Sequence, residues 1–475
     1  SGTSQSHIMK FSICYLGAVL APIVAPIVAA SPFWNKVGAD IDGEASNDNF
    51  GKSVAISADG TRVAVGASGN DGNGDSSGHT KVFEQNNGAW TQLGDDIDGK
   101  AAGDYSGHSV SLSADGTRVA VSAYGKDTST GQTRVFKWIG ELWTQVGGDI
   151  DGEAPRDLSG WSVSLSKDGN RVAVGAKGSD CYTGHTRVFE LIDTSWTPLG
   201  GDINGDAKFD NSGISVSLSA EGTRVAVGAY GNDSAGSLAG HTRVLQHHND
   251  YTGHTQVFEL IDSSWTQMGG DIDGVAAGDY SGWSVSLSAD GTRVAVGAKG
   301  YDDFTMETTA PAVWQVIPGY LGHTRVFELI DSSWTQLGGN IDGKAEEKWC
   351  CQSGYSVSLS ADGTLVAVGE KYSEKSAGRT QIYQWSNTEW TQLGGDIDSD
   401  NNLSVSSVSL SADGTWVAVG AVVKKSGKGS SKRELTLAAA KDAGRFVKKS
   451  TKSTSMRNRV RTLAAAKDAG RTQVY

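Results

Sequence analysis

Residues 281–300 read SGWSVSLSADGTRVAVGAKG. The run S-V-S-L alternates polar with apolar residues, as a half-buried β-strand does, and V-A-V-G-A reads as a second, more apolar strand. Between the two runs, Asp290-Gly291 is a strong hairpin signal, because such a turn needs a positive φ angle that glycine adopts without strain. This stretch therefore predicts a β-hairpin.

The same hairpin recurs along the chain, and each copy follows a phrase close to WTQLGGDIDG. A further strand, GHTRVFEL or a variant of it, comes after each hairpin and leads through a polar turn such as IDSS into the next phrase. Each unit therefore predicts four antiparallel strands. The repeats begin at Trp34, Trp90, Trp143, Trp196, Trp265, Trp334 and Trp390.

A four-stranded sheet cannot bury both of its faces alone, so neighbouring copies must stack. The first repeat phrase, at Trp34, is a fourth strand without the preceding three, whereas the last residues, GRTQVY (470–475), are a third strand without a fourth. We therefore expect an all-β fold, a seven-bladed β-propeller of four-stranded antiparallel blades, closed by the N-terminal strand pairing with the C-terminal strand. An open stack of repeats is the alternative.

The repeated tryptophans are expected to fill the space between adjacent blades, and a ring of ligand-stacking aromatic residues is the alternative. The four cysteines show no spacing that predicts a disulfide framework.

The propeller is predicted to span residues 31–475, with a basic, flexible insertion at 422–469. Before it, Met9-Lys10 and the apolar run FSICYLGAVLAPIVAPIVAA predict a signal peptide at 9–30, so residues 1–8 are excluded from the fold. A signal peptide implies an extracellular or cell-surface protein. The alternative is an uncleaved membrane anchor, which would be the only contact with a membrane.

Charge is divided unevenly along the chain. Residues 423–475 contain 15 Lys and Arg against three Asp and Glu, whereas the residues before them contain 26 against 51. An acidic body repels phosphate backbones, so nucleic acid is excluded as a partner of the repeats.

Two stretches, NFGKSVAISADGTRVAVGA (49–67) and SGWSVSLSADGTRVAVGA (281–298), resemble the FG-GAP repeat, the blade unit of integrin α-subunit propellers and many secreted proteins. Phe50-Gly51 and Gly66-Ala67 match the pairs that name the repeat; other copies carry Ser-Gly at the first pair, and the seventh carries Ser404-Val405. The likeness covers residues 34–422 and the final strand. It implies an extracellular recognition platform, often with calcium in a DxDxDG loop, which SADG shortens here to too few oxygens.

A second loop keeps calcium in view as the one candidate cofactor. Carboxylates recur at positions 1, 3 and 9 of the phrase D-I-D-G-x-x-x-x-D, and the fourth copy supplies the fullest set: Asp202, Asn204, Asp206 and Asp210. Oxygens at alternating positions of a glycine-containing loop suit a hard cation. The alternative is that these aspartates only cap turns through backbone N–H groups. The histidines of the GHT phrases are expected to make hydrogen bonds at strand starts.

No G-x-S-x-G, HExxH, P-loop or dinucleotide motif occurs in the sequence. The predicted function is therefore a secreted or cell-surface binding or adhesion module, monomeric, for an extracellular protein or carbohydrate ligand. The alternative is an extracellular, hydrolase-type enzyme whose residues come from several blades and meet at the central mouth of the propeller. The sequence leaves enzymatic activity open and favours its absence.

Overall fold

The computed structural model describes residues 34–45, 47–231, 251–276, 278–300, 321–344, 351–372, 378–399, 403–423, 434–439 and 473–474. Within these ranges the protein is an all-β propeller built of antiparallel blades. The predicted signal peptide and most of the 422–469 insertion lie outside the described residues. No helix in the described part of the chain combines the length and hydropathy that a membrane crossing requires.

The first blade shows the design that six sheets share. Its third strand pairs with one short strand through Phe83 and its neighbours, and with a second short strand through His79 and Thr80. The predicted fourth strand is therefore two short strands, separated at Gly94, whose φ of +75° bends the chain. In chain order the strands are β2 (Phe50–Ile56), β3 (Arg62–Ala67), β4 (His79–Asn86), β5 (Ala89–Gln92) and β6 (Ile97–Asp98).

The next five sheets repeat this order. Two short turns whose inner residues have positive φ angles, α1 (Lys126–Ser129) and α2 (Ser179–Tyr182), precede the third strands of the second and third sheets. The second sheet contains β7 (Val110–Leu112), β8 (Arg118–Ala123), β9 (Gln132–Ile139), β10 (Leu142–Gln145) and β11 (Ile150–Asp151). The third contains β12 (Ser159–Leu165), β13 (Arg171–Ala176), β14 (His185–Ile192), β15 (Ser195–Pro198) and β16 (Ile203–Asn204). The fourth contains β17 (Ser215–Leu218), β18 (Arg224–Ala229), β19 (His254–Ile261), β20 (Ser264–Gln267) and β21 (Ile272–Asp273). The fifth contains β22 (Ser281–Leu287), β23 (Arg293–Ala298), β24 (His323–Ile330), β25 (Ser333–Gln336) and β26 (Ile341–Asp342), and the sixth contains β27 (Cys351–Leu359), β28 (Leu365–Tyr372), β29 (Arg379–Ser386), β30 (Glu389–Gln392) and β31 (Ile397–Asp398).

The last sheet departs from this design, because distant segments of the chain assemble it. Its strands follow the order β1, β34, β33, β32, and β35 also pairs with β33. The prediction of a seven-bladed propeller is therefore wrong: six sheets share one blade design, and this last sheet departs from it. The strands are β1 (Asn35–Lys36), β32 (Leu403–Leu410), β33 (Trp416–Val423), β34 (Glu434–Ala439) and β35 (Gln473–Val474).

The predicted pairing of the two terminal strands is also wrong. Asn35 pairs with Ala439, inside the insertion that was expected to be flexible, whereas Gln473 of the C-terminal strand pairs with Val419 of β33. The insertion can supply a strand because its run E-L-T-L alternates polar with apolar residues, which is the strand period.

Hydrophobic clusters lie between neighbouring sheets. One of them joins Ala64 and Val82 of the first sheet to Val119 and Phe136 of the second. The V-A-V-G-A strands come so close there that a Cβ added to Gly66 would lie 1.9 Å from the carbonyl oxygen of the next sheet's bulge glycine. The core is therefore repeated between blades, and small residues are needed where strands of adjacent sheets meet.

The repeated tryptophans join adjacent blades, as predicted. Trp90 donates a hydrogen bond from Nε1 to the carbonyl oxygen of Val37 (3.0 Å), and Trp143 donates one to Leu93 (2.7 Å). Both indoles are partly buried against the clusters between the sheets. These tryptophans stabilise the contact between blades, so the structure favours the structural role over ligand stacking.

Candidate functional site

A β-bulge with a glycine recurs near the start of the first strand of the blades. In β12 the register shifts between Ser159 and Ser162, and Gly160 within the shift has a φ of +82°. A bulge of this kind re-aims the side chain that follows the glycine. In five sheets that following residue is large or charged: Lys52, His108, Trp161, Trp283 and Tyr355.

A second position of interest lies beside each bulge. On the second strand of the sheet, one residue pairs with the bulge, and the residue that follows it occupies this position. Ser159 pairs with Ala176, for example, so Lys177 comes next to the bulge. We call the five side chains after the bulge glycines, together with the five at this second position, the mouth cluster. The residues at the second position are Tyr124, Lys177, Tyr230, Lys299 and Lys371.

Aromatic rings of the mouth cluster touch from one sheet to the next. The ring of His108 lies 4.5 Å from that of Tyr124 in its own sheet and 4.6 Å from that of Trp161 in the third sheet, centre to centre. On the other side of the cluster, Trp283 of the fifth sheet lies 5.7 Å from Tyr355 of the sixth. The cluster thus forms a partly exposed aromatic surface that spans several blades.

Three lysines of the mouth cluster lie over aromatic rings of their own sheets. Lys177 Nζ is 3.4 Å from the ring centre of Trp161, and Lys299 Nζ is 3.6 Å from that of Trp283. Lys371 Nζ lies 4.5 Å from the ring of a tyrosine in the sixth sheet. Contacts of this type contribute about 0.5–2 kcal/mol each and help to hold the ammonium groups in place.

The pKa of Lys177 is affected by lysines of non-adjacent sheets. Burial, followed by the charges of Lys299 and Lys52, lowers the pKa of Lys177 to about 8. Lys52 lies in the first sheet, Lys177 in the third and Lys299 in the fifth. The three residues lie at or beside the bulges of their sheets, so their ammonium groups lie at the same end of the blades and repel one another.

Two further groups of the mouth cluster have shifted pKa values. The positive charge of Lys52 lowers the pKa of Tyr355 to about 8, against the opposing effect of burial and with help from Lys371, which also hydrogen-bonds the phenol. Burial, with the charges of Lys52 and Lys177, lowers the pKa of His108 well below its usual value, so this imidazole is neutral at physiological pH.

The mouth cluster is basic in an otherwise acidic body. Within the described residues, Lys52, Lys177 and Lys371 form no ion pair, whereas several lysines elsewhere do, as Lys81 does with Glu44. Converging ammonium groups beside partly exposed aromatic faces can bind an anionic group and a flat apolar surface at the same time.

The four predicted calcium ligands lie in different surroundings. Asp210 is buried, and its Oδ2 accepts the backbone N–H of Ala207 at 2.7 Å. Asn204 lies in β16 opposite His185, and Asp202 is exposed. Asp206 forms a group with a histidine and an aspartate of its own blade instead. Calcium binding by these four residues stays a prediction.

The equivalents of Asp210 favour the alternative of capped turns. Asp157 Oδ2 accepts the backbone N–H groups of Glu153 (2.9 Å) and Ala154 (2.7 Å), and Asp279 caps its turn in the same way. Both aspartates are almost fully buried. A carboxylate that satisfies backbone donors in this way explains its recurrence without an ion.

The GHT histidines start the third strands and are buried, but their expected hydrogen bonding is incomplete. One ring nitrogen of each of four histidines lacks a partner, and these four are His79, His185, His254 and His323. Cys181 is a free, exposed thiol in α2.

Comparison with known proteins gives one family match. The FG-GAP repeat matches residues 40–83, which include β2, β3 and most of β4. No curated protein matches the sequence.

Among solved structures, a protein from Lactobacillus plantarum aligns with a TM-score of 0.51 and 13% identity, over 80% of this chain and 92% of its own. Periplasmic gluconolactonase of Pseudomonas aeruginosa aligns with a TM-score of 0.47 and 15% identity, over 74% and 86% of the two chains. Identities this low show the fold alone. Together with the repeated blades, the family match shows that this chain is a β-propeller with an FG-GAP repeat at residues 40–83.

Proposed function

We propose that the protein is a secreted or cell-surface binding module that holds an acidic carbohydrate at the mouth cluster. The observation that carries this proposal is the convergence of lysines and aromatic rings from several sheets at one end of the blades. Aromatic faces suit the flat apolar faces of sugar rings, and the ammonium groups of Lys52, Lys177 and Lys371 neutralise carboxylate or sulfate groups.

We further propose that the sheets close into a ring, so that the mouth cluster surrounds the axis. Support comes from a series of backbone hydrogen bonds between the S-A-D-G turns. Each turn donates one N–H to the carbonyl of the next turn, and the series returns to its start. The donors, in order, are Ala58, Ala114, Lys167, Ala220, Ala289, Ala361 and Ala412, and Ala412 donates to Ala58.

The charge distribution favours a ligand that enters at the mouth. The residues before 423 carry about twice as many acidic as basic groups, so a polyanion is repelled from most of the surface. A basic site in such a field selects anionic groups that reach it end-on. An extended nucleic acid would lie across the acidic surface, which disfavours it.

The test is isothermal titration calorimetry with oligogalacturonate and, in parallel, with a neutral oligosaccharide of equal length. We expect binding of the acidic ligand alone, and about tenfold weaker binding in each of Lys52→Gln and Lys177→Gln. Lys167→Gln is the matched control, because Lys167 is exposed and pairs with Glu221 at the turns. Equal affinity for both sugars, or no effect of the two mouth variants, would overturn the proposal.

An extracellular enzyme with its site at the same mouth is the second candidate. The observation that favours it is the pair of pKa values near 8 at Tyr355 and Lys177, since perturbed titratable groups in one site are typical of acid–base catalysis. The test is to incubate the acidic oligosaccharide with the protein and follow its chain length. Turnover that Tyr355→Phe abolishes while binding remains supports the enzyme, and an unchanged ligand supports the binding module alone.

A further inference from the structure

The third strand of the first blade begins at a pocket that contains its own cation. Lys81 Nζ lies 2.5 Å from Glu44 Oε1 and 3.3 Å from Asp96 Oδ2. His79 completes the pocket, with Nδ1 3.6 Å from Asp96 Oδ2. The ammonium group of Lys81 therefore balances two carboxylates that approach from different segments of the chain.

The fourth blade has the equivalent pocket without the lysine. Its positions are occupied by Asp206, His254, Gln256 and Asp271, so an amide replaces the ammonium group. One ligand atom of each of Asp206, His254 and Asp271 lies within 4.8 Å of the others. Gln256 Nε2 lies 3.3 Å from Asp206 Oδ2 and 3.0 Å from Asp271 Oδ1, which gives the carboxylates a donor and no positive charge.

The histidine in this pocket has an unused ligand atom. The side chain of His254 is 1% exposed, and its Nδ1 is buried without a hydrogen-bond partner. A buried polar atom without a partner costs about 1–3 kcal/mol. An ion that takes this nitrogen as a ligand would remove that cost, in addition to balancing the two carboxylates.

The other blades that the structure describes place at least one Lys or Arg in this pocket. Arg134, Arg187 and Arg325 take the place of Lys81 in the second, third and fifth sheets. In the sixth sheet that place is taken by Gln381, but Lys344 and Arg379 both contact the local aspartate. In the described blades, the fourth is thus alone in combining two carboxylates with a neutral residue at the lysine position.

We propose that Asp206, His254 and Asp271 bind one divalent transition-metal ion, with Zn²⁺ as the best match. Imidazole nitrogen and carboxylate oxygen are both zinc ligands, and three protein ligands leave a position for water. Ca²⁺ takes six to eight oxygens and has no use for a buried imidazole nitrogen. Small side-chain rotations must bring the ligand atoms from their present separation to the bond lengths of about 2.0–2.2 Å that zinc requires.

The first test is calorimetric titration of the full chain, freed of metal with a chelator, with ZnCl₂ and separately with CaCl₂. We expect one equivalent of Zn²⁺ to bind in preference to Ca²⁺, and His254→Gln to weaken Zn²⁺ binding at least about tenfold. The fold tolerates glutamine here, because Gln132 holds this position in the second sheet. His185→Gln is the matched control, since Arg187 occupies that pocket, and it is expected to leave Zn²⁺ binding unchanged.

The second test exchanges the lysine and the glutamine between the two pockets. Gln256→Lys supplies the ammonium group that Lys81 supplies in the first blade, so we expect it to abolish Zn²⁺ binding. Lys81→Gln leaves Glu44, His79 and Asp96 without a cation, so we expect it to raise the stoichiometry from one to two. No Zn²⁺ binding by the wild-type protein, equal binding of Ca²⁺, or binding that survives both His254→Gln and Gln256→Lys overturns the proposal.

Discussion

Trp34 donates a hydrogen bond from its Nε1 to the carbonyl oxygen of Leu393, over 3.0 Å. The same bond joins Trp265 to Leu199, between neighbouring blades in the middle of the chain. The first tryptophan thus takes the position in the last sheet that its counterparts take in their own blades. The N-terminal segment is therefore part of the structure that holds the last sheet against the sixth.

Replacing Trp34 by phenylalanine is expected to lower the free energy of unfolding by about 1–2 kcal/mol, because the carbonyl of Leu393 loses its donor while most of the apolar contact remains. Urea denaturation followed by fluorescence measures this change. Trp265→Phe is the control and should cost a similar amount. A cost for Trp265→Phe alone would show that the N-terminal segment contributes nothing to the fold in solution.

Binding of an acidic ligand at the mouth cluster should weaken as the pH rises through about 8. The pKa of Tyr355 is lowered to about 8, so its phenol is neutral below that pH and negative above it. The pKa of Lys177 is also lowered to about 8, so its amine is positive below that pH and neutral above it. Both changes lower the net positive charge of the site, and we expect about tenfold weaker binding at pH 9 than at pH 7.

Calorimetry over that pH range provides the measurement, with Tyr355→Phe as the comparison. This variant keeps the contribution of Lys177 and should therefore show a smaller fall in affinity. An affinity that is constant or that increases with pH would contradict the assignment of the ligand to this site.

The turn of the fourth sheet should gain stability from Glu221→Asp. In the fifth sheet Asp290 Oδ1 accepts hydrogen bonds from Ser288 Oγ (2.7 Å) and from the backbone N–H of Thr292 (2.9 Å). The longer Glu221 instead pairs with Lys167 at the surface, which contributes little. The shorter side chain restores the capped turn, so we expect a gain of about 0.5–1 kcal/mol at pH 7.

The gain in stability from Glu221→Asp should decrease in acid, as the pKa of the equivalent Asp290 indicates. Burial raises the pKa of Asp290, but the hydrogen bonds from Ser288 and Thr292 outweigh it and the pKa is lowered overall. A lowered pKa in the folded state gives stability that is fully present above the unfolded value, about 3.9, and is lost as the pH falls through the folded value. Thermal unfolding at pH 7 and in acid measures this, and a gain that does not diminish as the pH falls would contradict it.

The sixth sheet contains a buried ion pair. We expect the protein to tolerate replacement of both partners better than replacement of one. Glu370 is fully buried and pairs across the strands with Arg379, whose Nε lies 2.5 Å from Glu370 Oε2. In the fifth sheet the same two positions hold Ala298 and His323. Burial, against the attraction of Arg379, raises the pKa of Glu370, so this carboxylate depends on its partner.

We expect Glu370→Ala to cost about 3–5 kcal/mol, because it breaks a buried ion pair and leaves Asp396 as the remaining carboxylate beside the guanidinium of Arg379. The double variant Glu370→Ala with Arg379→His should recover most of that loss, since it reproduces the fifth sheet. Chemical denaturation of the three variants measures the coupling. If the effects of the two substitutions on the free energy of unfolding are additive, the two residues do not stabilise the fold as a pair.

The blades could be predicted from the sequence because their signals are local. The alternation S-V-S-L and the turn at Asp290-Gly291 specify a hairpin without reference to the rest of the chain. The position of the tryptophans between blades followed from their regular recurrence.

Other features depend on which distant segments meet, and sequence reasoning missed them. The run around Ala439 is rich in alanine and favours a helix on its own, but the unpaired edge of β33 makes it a strand. The mouth cluster mixes Lys52 with Trp161 and Tyr355, so no single residue type marks it. The signal that could have found it is a shared position, one residue after each bulge glycine.

Because Asn35 pairs with Ala439, the first strand of the propeller is synthesised roughly four hundred residues before its partner. The six regular sheets can form in order as the chain leaves the ribosome, whereas the last sheet must wait until residues 473–474 have been synthesised. Until then β1 offers an open strand edge to other nascent chains. Completion of the last sheet is therefore expected to be the slowest step of folding, and the one at which chaperones protect newly made protein.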